Sequence, residues 1–583
     1  MRSFKPEKMV GWYDVKQLGG TAIRAVLSSI FGSYADKREA LAALCEKEVY
    51  RDLSNQDDVW IDYMSDTGDG FNSSYSMFHL LSKDYIDVDI DGKSQRLPKG
   101  HAVVLGGDQV YPAPSRDEYH NRLLGPLEAA SEQSGSSKAS TMYAIPGNHD
   151  WYDGLTNFVK IFCHGKSIGH FKTVQNRSYF AIQLNPNTWL WGIDIQLQSD
   201  VDYPQIAYFN WVAATYMKKN DNVILCTAEP SWVFSEQRKD DTTYFNLEYF
   251  EKNCIQGNDL NEILTLAGDL HHYARYSQTE DGQTTKHKIT SGGGGAFLHP
   301  THNLPERLNK VHDGKYVLEE TFPKKATSRK LTWKNLLFPV KNVGFGLFLS
   351  SIHLIMAYAL YNTSKLDQHE GTIFTTLGGT EALVNKAIIS RLFETFLHSP
   401  TSMIILLTFV FGFIAFCDGR SSKYKLATWA GAIHGLLHIV LMLSLFSVIA
   451  FVGFQVLKLG EPILDDSGLN VVGYDSTWKS VLFTSSAVFF VGGFLSGVLV
   501  GVYLLISSLV LKMHDNEAFS SIKEEGYKNF LRMHIKNNIL TIYPIGVKTV
   551  SKWRKFGQMF KPHKVMQPEL IDKPLVIKLT NDD

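Results

Sequence analysis

Four long apolar runs in the second half of the chain limit its architecture more than any other feature of the sequence. They cover residues 343–361, 401–417, 426–457 and 480–511. About 20 apolar residues cross a bilayer, and inside it only helices satisfy their own backbone polar groups. The first two runs are near the minimal length, and each of the last two reads as one long or tilted helix. We predict an all-α transmembrane domain over 343–511, with a buried soluble helix bundle as the alternative.

Lysine and arginine near these runs predict their orientation. A basic linker at 321–342 precedes the first run, and the loop 418–425 carries three more basic residues, whereas the loop 458–479 carries four acids. Basic loops stay on the cytoplasmic side. Four spans would therefore place both ends of the chain and its first half in the cytoplasm, as an integral membrane protein. Residues 362–400 would lie outside, with an interfacial helix over 380–397.

Polar side chains recur at the ends of apolar strands in the first half of the chain. Four stretches end in Ser65-Asp66-Thr67-Gly68-Asp69, Gly106-Gly107-Asp108, Gly147-Asn148-His149-Asp150 and Gly268-Asp269-Leu270-His271. An apolar run closed by glycine is typical of a buried strand that stops at a cleft. Any one of them could be an ordinary loop. Together they predict a cage of metal-binding groups at one edge of a sheet.

The order of these motifs resembles the calcineurin-like metallophosphoesterase superfamily over residues 55–300. The signature of that superfamily is D-x-H, GD, GNH[DE], a lone His and GHxH. GGD at 106–108 and GNHD at 147–150 match it closely. The resemblance implies an α/β fold in which a metallophosphoesterase-type β-sandwich is flanked by helices. The alternation of short strands and helical segments favours the same fold class.

Three positions depart from the superfamily pattern. Gly68 stands where the first motif has its His, and Asp69 is the candidate substitute. Glu229, in the turn after the apolar stretch 222–226, stands where the superfamily has a lone His. Asp269 replaces the first His of the last motif, while His271 is kept.

By resemblance, seven side chains would hold two divalent metal ions. Asp108 would bridge both ions, Asp66, Asp69 and His271 would complete one site, and Asn148, Glu229 and Asp269 would complete the other. Such a pair of ions activates water and clamps phosphoryl oxygens. His149, held by Asp150, would stabilise the developing charge or protonate the leaving oxygen. The alternative is a degenerate relative that binds no metal.

The predicted ligands are richer in oxygen and poorer in imidazole than is usual in the superfamily. Hard oxygen ligands favour manganese or magnesium over zinc. We therefore expect two Mn ions, with Fe, Zn or Mg as alternatives.

The composition of the chain limits the classes of partner and cofactor that we expect. The 583-residue chain has a formal net charge of −1, which gives no sign of nucleic-acid binding driven by bulk charge. Its five cysteines form no CxxC pair, so neither a disulfide framework nor a structural zinc site is expected. The N-terminus shows no apolar core of a cleaved signal peptide. The expected partners are membrane lipid and a phosphorylated small molecule or lipid as substrate.

The remaining segments complete the predicted domain order. Residues 1–54 form an N-terminal segment with helices at 20–32 and 36–46, and 55–320 form the phosphoesterase domain. Residues 512–583 are expected to form a small cytoplasmic domain that folds against it.

Two sets of residues outside the predicted cage have open interpretations. The glycine run 292–295 lacks the Gly-Lys-Ser/Thr of a P-loop, so a sharp turn is preferred over a phosphate cradle. His299 and His302, which follow this run, line the cleft or lie on the surface.

Polar and small residues inside the apolar runs also allow two readings. Gly493, Gly497 and Gly501 have the spacing of close helix packing in lipid, or are tolerated without a role. His434 and His438 lie one helical turn apart. They form either a helix–helix hydrogen bond, which is the simpler arrangement, or a bis-imidazole metal site.

The sequence therefore predicts a membrane-bound phosphoesterase that hydrolyses a phosphate ester or anhydride at the cytoplasmic face, with a lipid-linked phosphate as a candidate substrate. The intact GGD and GNHD motifs favour this enzyme. A non-catalytic membrane sensor or transport-like protein with a degenerate phosphoesterase domain is the alternative, which the missing histidines motivate.

Overall fold

The computed structural model describes residues 3–20, 23, 38–136, 138–195, 200–238, 242–280, 283–366, 386–416, 424–464, 467–469, 471–557 and 559–579. The chain divides into two compact units. The first comprises Met1–Val10, Gly19–Leu331 and Lys523–Asp583, and the second comprises Gly11–Leu18 and Thr332–Ile522. The helix predicted at 20–32 lies almost entirely outside the described residues.

The first unit is a mixed α/β structure with two large sheets. In the described residues the first sheet has the order Glu569–Leu570, Ile539–Val547, Lys528–Lys536, Asp58–Met64, Ala102–Leu105, Ser140–Ala144, Phe171–Thr173 and Ser167–Ile168, with Leu575–Lys578 also pairing with Ile539–Val547. The second has the order Arg307–Leu308, Tyr316–Phe322, Tyr273–Glu280, Gln283–Ser291, Asn261–Ala267, Asn222–Cys226, Thr188–Gly192 and Phe180–Asn185.

Parallel pairing brings the predicted motifs to common sheet edges. Asp58–Met64 pairs in parallel with Ala102–Leu105, which pairs in parallel with Ser140–Ala144. In the second sheet, Asn222–Cys226 and Asn261–Ala267 are likewise parallel. Because parallel strands end at the same edge, the turns that follow them are neighbours.

Apolar side chains fill three layers of core around these sheets. One cluster joins residues of both sheets, among them Ile61, Val104, Ile224 and Leu266, so the sheets pack face to face. The outer faces are covered by helices. These are Arg38–Leu44, Phe71–Ser82, Arg116–Glu118 continued through Tyr119–Leu124 to Gly125–Gln133, Asn148–Trp151, Thr156–Phe162, Tyr203–Tyr216, Ser231–Gln237, and Thr243–Phe250 continued through Glu251–Ile255 to Gln256–Asn258. Lys325–Thr332 follows the last strand before the second unit.

The C-terminal segment belongs to the first sheet, which differs from the separate domain predicted for 512–583. Lys528–Lys536 pairs antiparallel with Asp58–Met64 across six residue pairs. The buried Arg532 guanidinium donates to both carboxylate oxygens of Asp62, at 2.7 and 3.0 Å. An alternating apolar strand does not reveal which sheet it joins, because partner choice is set by contacts far away in the sequence.

Three short hairpins complete the strands. They are Tyr85–Ile90 with Lys93–Pro98, Glu461–Leu464 with Val471–Asp475, and Trp553–Phe556 with Met559–Pro562.

The second unit is built mainly of helices. They are Trp333–Leu337, Phe338–Lys341, Val343–Leu366, Lys386–His398, Pro400–Ala415, Tyr424–Phe451 continued by Val452–Val456, Trp478–Ile506 continued by Ser507–Leu511, and Asp515–Ile522. Three stretches in the described residues are long and apolar enough to cross a membrane, namely Val343–Ser364, Lys425–Val456 and Trp478–Leu511. The bent pair Ser390–His398 and Pro400–Ala415, with an angle of 89°, brings the number to four if it counts as one span.

The close packing predicted around Gly493, Gly497 and Gly501 is confirmed. A Cβ at Gly493 would lie 1.8 Å from the Ser350 hydroxyl, and one at Gly501 would lie 2.3 Å from the Asn335 carbonyl oxygen. A Cβ at Gly497 would lie 2.9 Å from Pro339. The absence of side chains at these positions lets neighbouring helices of the second unit approach.

Candidate active site

The four predicted strand ends meet in the first unit. A Cβ at Gly147 would lie 2.1 Å from Oδ1 of Asp108, and one at Gly268 would lie 2.6 Å from Oδ2 of Asp66. A Cβ at Gly107 would lie 3.1 Å from Ala228, in the turn that carries Glu229. At Gly147 and Gly268 the turns approach more closely than a side chain allows, and at Gly107 a Cβ would be in tight contact.

Three aspartates at three different strand ends share an unusual backbone conformation. Asp66, Asp108 and Asp269 have φ of 60°, 48° and 63°. Left-handed backbone at a non-glycine residue is uncommon, although aspartate tolerates it better than most, and it clusters at functional sites. At each of the three residues this conformation turns the backbone sharply at the end of the strand, next to the other motifs.

Tyr111 is a site residue that the sequence analysis missed. Its hydroxyl lies 2.8 Å from Oδ1 of Asp66, 3.1 Å from Oδ2 of Asp108 and 3.0 Å from Nε2 of His271. It therefore touches three of the seven predicted ligands. The available signal was its position three residues after the strand-end Asp108, where a turn can bring a ring back to the same edge.

The carboxylates of buried Asp66 and Asp108 and of partly buried Asp269 lie close to one another. Burial raises the pKa of Asp108 to about 7, and the backbone amide of His149 and the Tyr111 hydroxyl oppose this rise. Burial, followed by the charge of Asp108, raises the pKa of Asp269 to about 7 and that of Asp66 well above its usual range. A cation placed among these groups would favour their ionised forms.

The side chains at this site are of the chemical type that binds a divalent cation. Oδ1 of Asn148 is buried and has no hydrogen-bond partner, which is costly unless something else binds it. Together with the buried carboxylates it supplies the oxygen ligands that Mn and Mg prefer. In the described part of the chain, however, no three His, Cys, Asp or Glu side chains have the arrangement of a metal site. The Tyr111 contacts have hydrogen-bond lengths, which exceed metal–oxygen distances.

Two of the predicted ligands have other surroundings. The carboxylate of Asp69 accepts hydrogen bonds from the backbone amides of Val10, at 2.7 Å, and Phe297, at 3.3 Å. It thereby joins the N-terminal segment to the chain after the glycine run. Glu229 is half-buried in the turn that begins beside Gly107. Metal binding by either residue stays a prediction.

The structure differs from the prediction that Asp150 holds His149. Asp150 Oδ2 accepts from the amides of Gly147 and Gln109, at 2.9 and 3.1 Å, and Oδ1 accepts from the Tyr119 hydroxyl. Adjacent residues of a helical turn do not face each other, so the Asp150 side chain folds back to cap the turn. The His149 ring instead pairs through Nδ1 with the Pro112 carbonyl oxygen at 2.9 Å. Burial lowers the pKa of His149 to about 4.

The glycine run after Gln283–Ser291 packs against the first motif. A Cβ at Gly292 would lie 2.7 Å from Oδ2 of Asp66, and one at Gly294 would lie 2.3 Å from the Ser65 carbonyl oxygen. These close contacts agree with the prediction that the glycine run forms a sharp turn. The His299 ring lies 4.0 Å from that of His271, so His299 adjoins the site, whereas buried His302 contacts the Ser328 hydroxyl.

Comparisons with known proteins give little further guidance. No protein-family model and no curated protein matches this chain. Among solved structures, one described as GAP50, the anchor in the inner membrane complex of Plasmodium, aligns over 42% of this chain and 74% of its own, with 10% identity and a TM-score of 0.29. PhoD aligns over 43% of this chain and 60% of its own, with 9% identity and a TM-score of 0.27. These are weak likenesses.

Proposed function

We propose that this protein is a membrane-bound phosphoesterase that hydrolyses a phosphate ester or anhydride with two divalent metal ions. The observation that carries the proposal is the convergence of buried Asp66 and Asp108 and partly buried Asp269 with the unpartnered amide oxygen of Asn148. Mutual repulsion among such groups is relieved when cations bind between them. Manganese is the expected metal, because the donors are mostly oxygen.

Each residue has a role in this proposal. Asp108 lies between the other motifs and would contact both ions, while Asp66 and His271 would hold one ion and Asn148 and Asp269 the other. When bound, the ions supply an activated water and neutralise charge on the phosphoryl oxygens. The Pro112 carbonyl accepts from His149 Nδ1–H, so the neutral ring carries its lone pair on Nε2, the nitrogen that would exchange a proton with the leaving oxygen.

Chain connectivity favours four membrane crossings. Residues up to Leu331 and from Lys523 onward belong to the same unit, and strands from both parts pair within the first sheet or pack on it. An odd number of crossings would put these two parts on opposite sides of a bilayer. The bent pair Ser390–His398 and Pro400–Ala415 is therefore proposed as the additional span. The basic residues at 321–342 and 418–425 favour a cytoplasmic location of the first unit.

Attachment to a bilayer favours a substrate that is itself in or near the membrane, such as a lipid pyrophosphate. The purified full-length protein should contain two metal ions per chain and release phosphate from members of a panel of soluble monoesters, diesters and lipid pyrophosphates in Mn²⁺. Asp108→Asn should lose both metal and turnover, and His149→Ala should lose turnover but keep metal.

A non-catalytic sensor is the second candidate, because the described residues contain no three-ligand metal group as they stand. A protein with no metal and no turnover in Mn, Fe, Zn or Mg would support the sensor and overturn the phosphoesterase.

A further inference from the structure

An exposed hairpin near the end of the chain carries a high concentration of positive charge. Its strands Trp553–Phe556 and Met559–Pro562 pair antiparallel, and Gly557 in the tight turn between them has φ of 64°. Residues 526–568 contain no aspartate or glutamate. Five basic side chains on or beside the hairpin are exposed and have no acidic partner in the described part of the chain, namely Lys552, Arg554, Lys555, Lys561 and Lys564.

The inner face of the hairpin fixes it to the first unit. Trp553 and Phe560 are buried. The Trp553 indole N–H donates to the Ser76 hydroxyl at 2.8 Å. The backbone amide of Phe560 donates to the side-chain carbonyl of Gln133 at 2.9 Å. Both aromatic rings pack on Tyr75, with centroids 4.7 and 5.1 Å away. These buried contacts hold the hairpin in one orientation.

The outer face combines two cations with two apolar side chains. Arg554 lies opposite Lys561, and Phe556 lies opposite Met559. Residues two apart on a strand point to the same side, so these four side chains share the face turned away from the buried one. Phe556 and Met559 form the tip and are 67% and 54% exposed. The cations lie about 7 Å behind the tip, since a strand rises roughly 3.3 Å per residue.

The charges on this face repel each other. Like charges directly opposite on paired strands are destabilising, and Arg554 and Lys561 are such a pair. Lys561 Nζ also lies 4.4 Å from the centroid of the Phe556 ring, which brings the ammonium next to the apolar tip. A layer of negative charge along this face would remove the repulsion. The charges therefore favour a polyanionic partner, and the apolar tip favours one with an apolar interior.

An anionic lipid bilayer has both properties. The first unit continues into the second at Leu331–Thr332 and resumes at Ile522–Lys523, and the second contains helices long and apolar enough to cross a membrane. The hairpin is therefore covalently attached to segments that can span a bilayer. A contact with that bilayer is intramolecular, so even a weak one is populated. A lipid surface is thus favoured over a soluble polyanion.

We infer that the outer face of this hairpin docks on anionic phospholipid, with Phe556 and Met559 at the boundary between headgroups and acyl chains and with Arg554 and Lys561 at the phosphate groups. The spacing of about 7 Å between tip and cations matches the roughly 5–10 Å by which interfacial segments bury their apolar side chains. Anionic lipid is concentrated in the cytoplasmic leaflet, which agrees with the cytoplasmic location proposed for the first unit. The docking requires neither metal binding nor turnover.

The test uses the full-length protein in lipid nanodiscs, with the photocrosslinking residue p-benzoylphenylalanine in place of Phe556. Nanodiscs of phosphatidylcholine alone are compared with nanodiscs that contain phosphatidylserine as well, and mass spectrometry counts the covalent lipid adducts formed on illumination. Each basic residue close to an anionic surface strengthens binding about fivefold. We therefore expect at least about a fivefold higher adduct yield with phosphatidylserine.

Charge variants in the same crosslinking protein test the role of the outer face. Arg554→Glu combined with Lys561→Glu should reduce the adduct yield in anionic nanodiscs to the yield in phosphatidylcholine. Lys93→Glu combined with Lys172→Glu is the matched control, because it makes the same change of net charge at two exposed lysines elsewhere in the first unit. The control should keep the higher yield. Equal losses in both double variants would show that net charge, and not this face, sets the contact, and would overturn the inference.

Hydrogen–deuterium exchange of the unmodified protein gives a measurement that depends on no variant. The backbone amides of 553–562 should exchange more slowly in anionic nanodiscs, and 1 M salt should remove this protection, since it reduces the screening length to about 3 Å. Equal adduct yields and equal exchange in the two lipid compositions would overturn the inference. Slower exchange of 553–562 on addition of RNA, in nanodiscs that give no lipid adduct, would assign the face to nucleic acid instead.

Discussion

Nε2 of His271 lies 3.0 Å from the Tyr111 hydroxyl, although 160 residues separate the two in the sequence. The same hydroxyl contacts Asp66 and Asp108. One phenol therefore links three motifs that come from three strand ends and both sheets. This contact explains why Tyr111 is buried, and it makes the phenol a candidate to stabilise or to join a bound metal.

Replacing Tyr111 with phenylalanine should weaken metal binding. The ring would still fill its space, but Asp66, Asp108 and His271 would lose the group that holds them in place. Removal of such a supporting group commonly costs 10–100-fold in metal affinity. Metal retained after dialysis against graded chelator measures the change. Tyr276→Phe is the matched control, because it removes a buried hydroxyl whose partner is the Pro305 carbonyl. Equal losses in both variants would assign the effect to general destabilisation.

Gly147→Ala should displace Asp108. The added Cβ would lie 2.1 Å from Oδ1 and 2.4 Å from the backbone nitrogen of Asp108, so one of the two chains must move. We expect loss of bound metal and at least a tenfold loss of phosphate release, since small displacements of reacting groups have large effects. Gly412→Ala, with no atom within 4 Å of the new Cβ, should change neither quantity. Full metal content in Gly147→Ala would contradict the packing described here.

Asp313→Asn should make stability less dependent on pH in acid. The charges of Lys288 and Lys286 and the hydrogen bonds from Lys286 and Tyr316 outweigh burial and lower the pKa of Asp313 to about 2. A carboxyl with a lowered folded-state pKa contributes stability above its unfolded value of about 3.9, and this is lost as pH falls towards 2. The contribution at pH 7 is about 2 kcal/mol.

Thermal unfolding of the full-length protein in detergent, at pH 7 and at pH 3, measures this contribution. The Asp313→Asn variant should be less stable than the unmodified protein at pH 7, and the gap should narrow at pH 3. Asp259→Asn breaks an exposed pair with Lys219 and should have little effect at either pH. A gap that is independent of pH would show that the charge of Asp313 is not its cause.

Arg532→Met should unfold or strongly destabilise the first unit. It leaves the Asp62 carboxylate buried without its partner, and breaking a buried pair in this way commonly costs about 3–5 kcal/mol. The Leu97 carbonyl would lose a donor as well. Arg96→Met removes an exposed pair with Asp87 and is the control. If both variants unfold at the same temperature in a thermal scan, the C-terminal strands are not integral to the sheet.

The strand-end motifs were predictable because residues that are neighbours in the sequence specify each of them. An apolar run followed by Gly107-Asp108 or Gly147-Asn148 specifies both the strand and the polar turn. Tyr111 and His299 were harder to predict, because a ring that reaches the site from a neighbouring turn leaves no such local pattern. The strands after Lys523 were missed for a related reason, since nothing within Lys528–Lys536 identifies Asp58–Met64 as its partner.

The placement of Lys528–Lys536 also governs the order of events during synthesis. Asp58–Met64 is made early, yet its antiparallel neighbour emerges only after the whole of Thr332–Ile522 has been translated. Until then one edge of the strand lacks its hydrogen-bond partners, and unpaired edges invite aggregation. The upstream sheet therefore stays unfinished while the apolar helices of Thr332–Ile522 are made. A chain that stopped before Lys528 would keep this edge open to other unpaired strands, so the last strands of the chain protect one of the first.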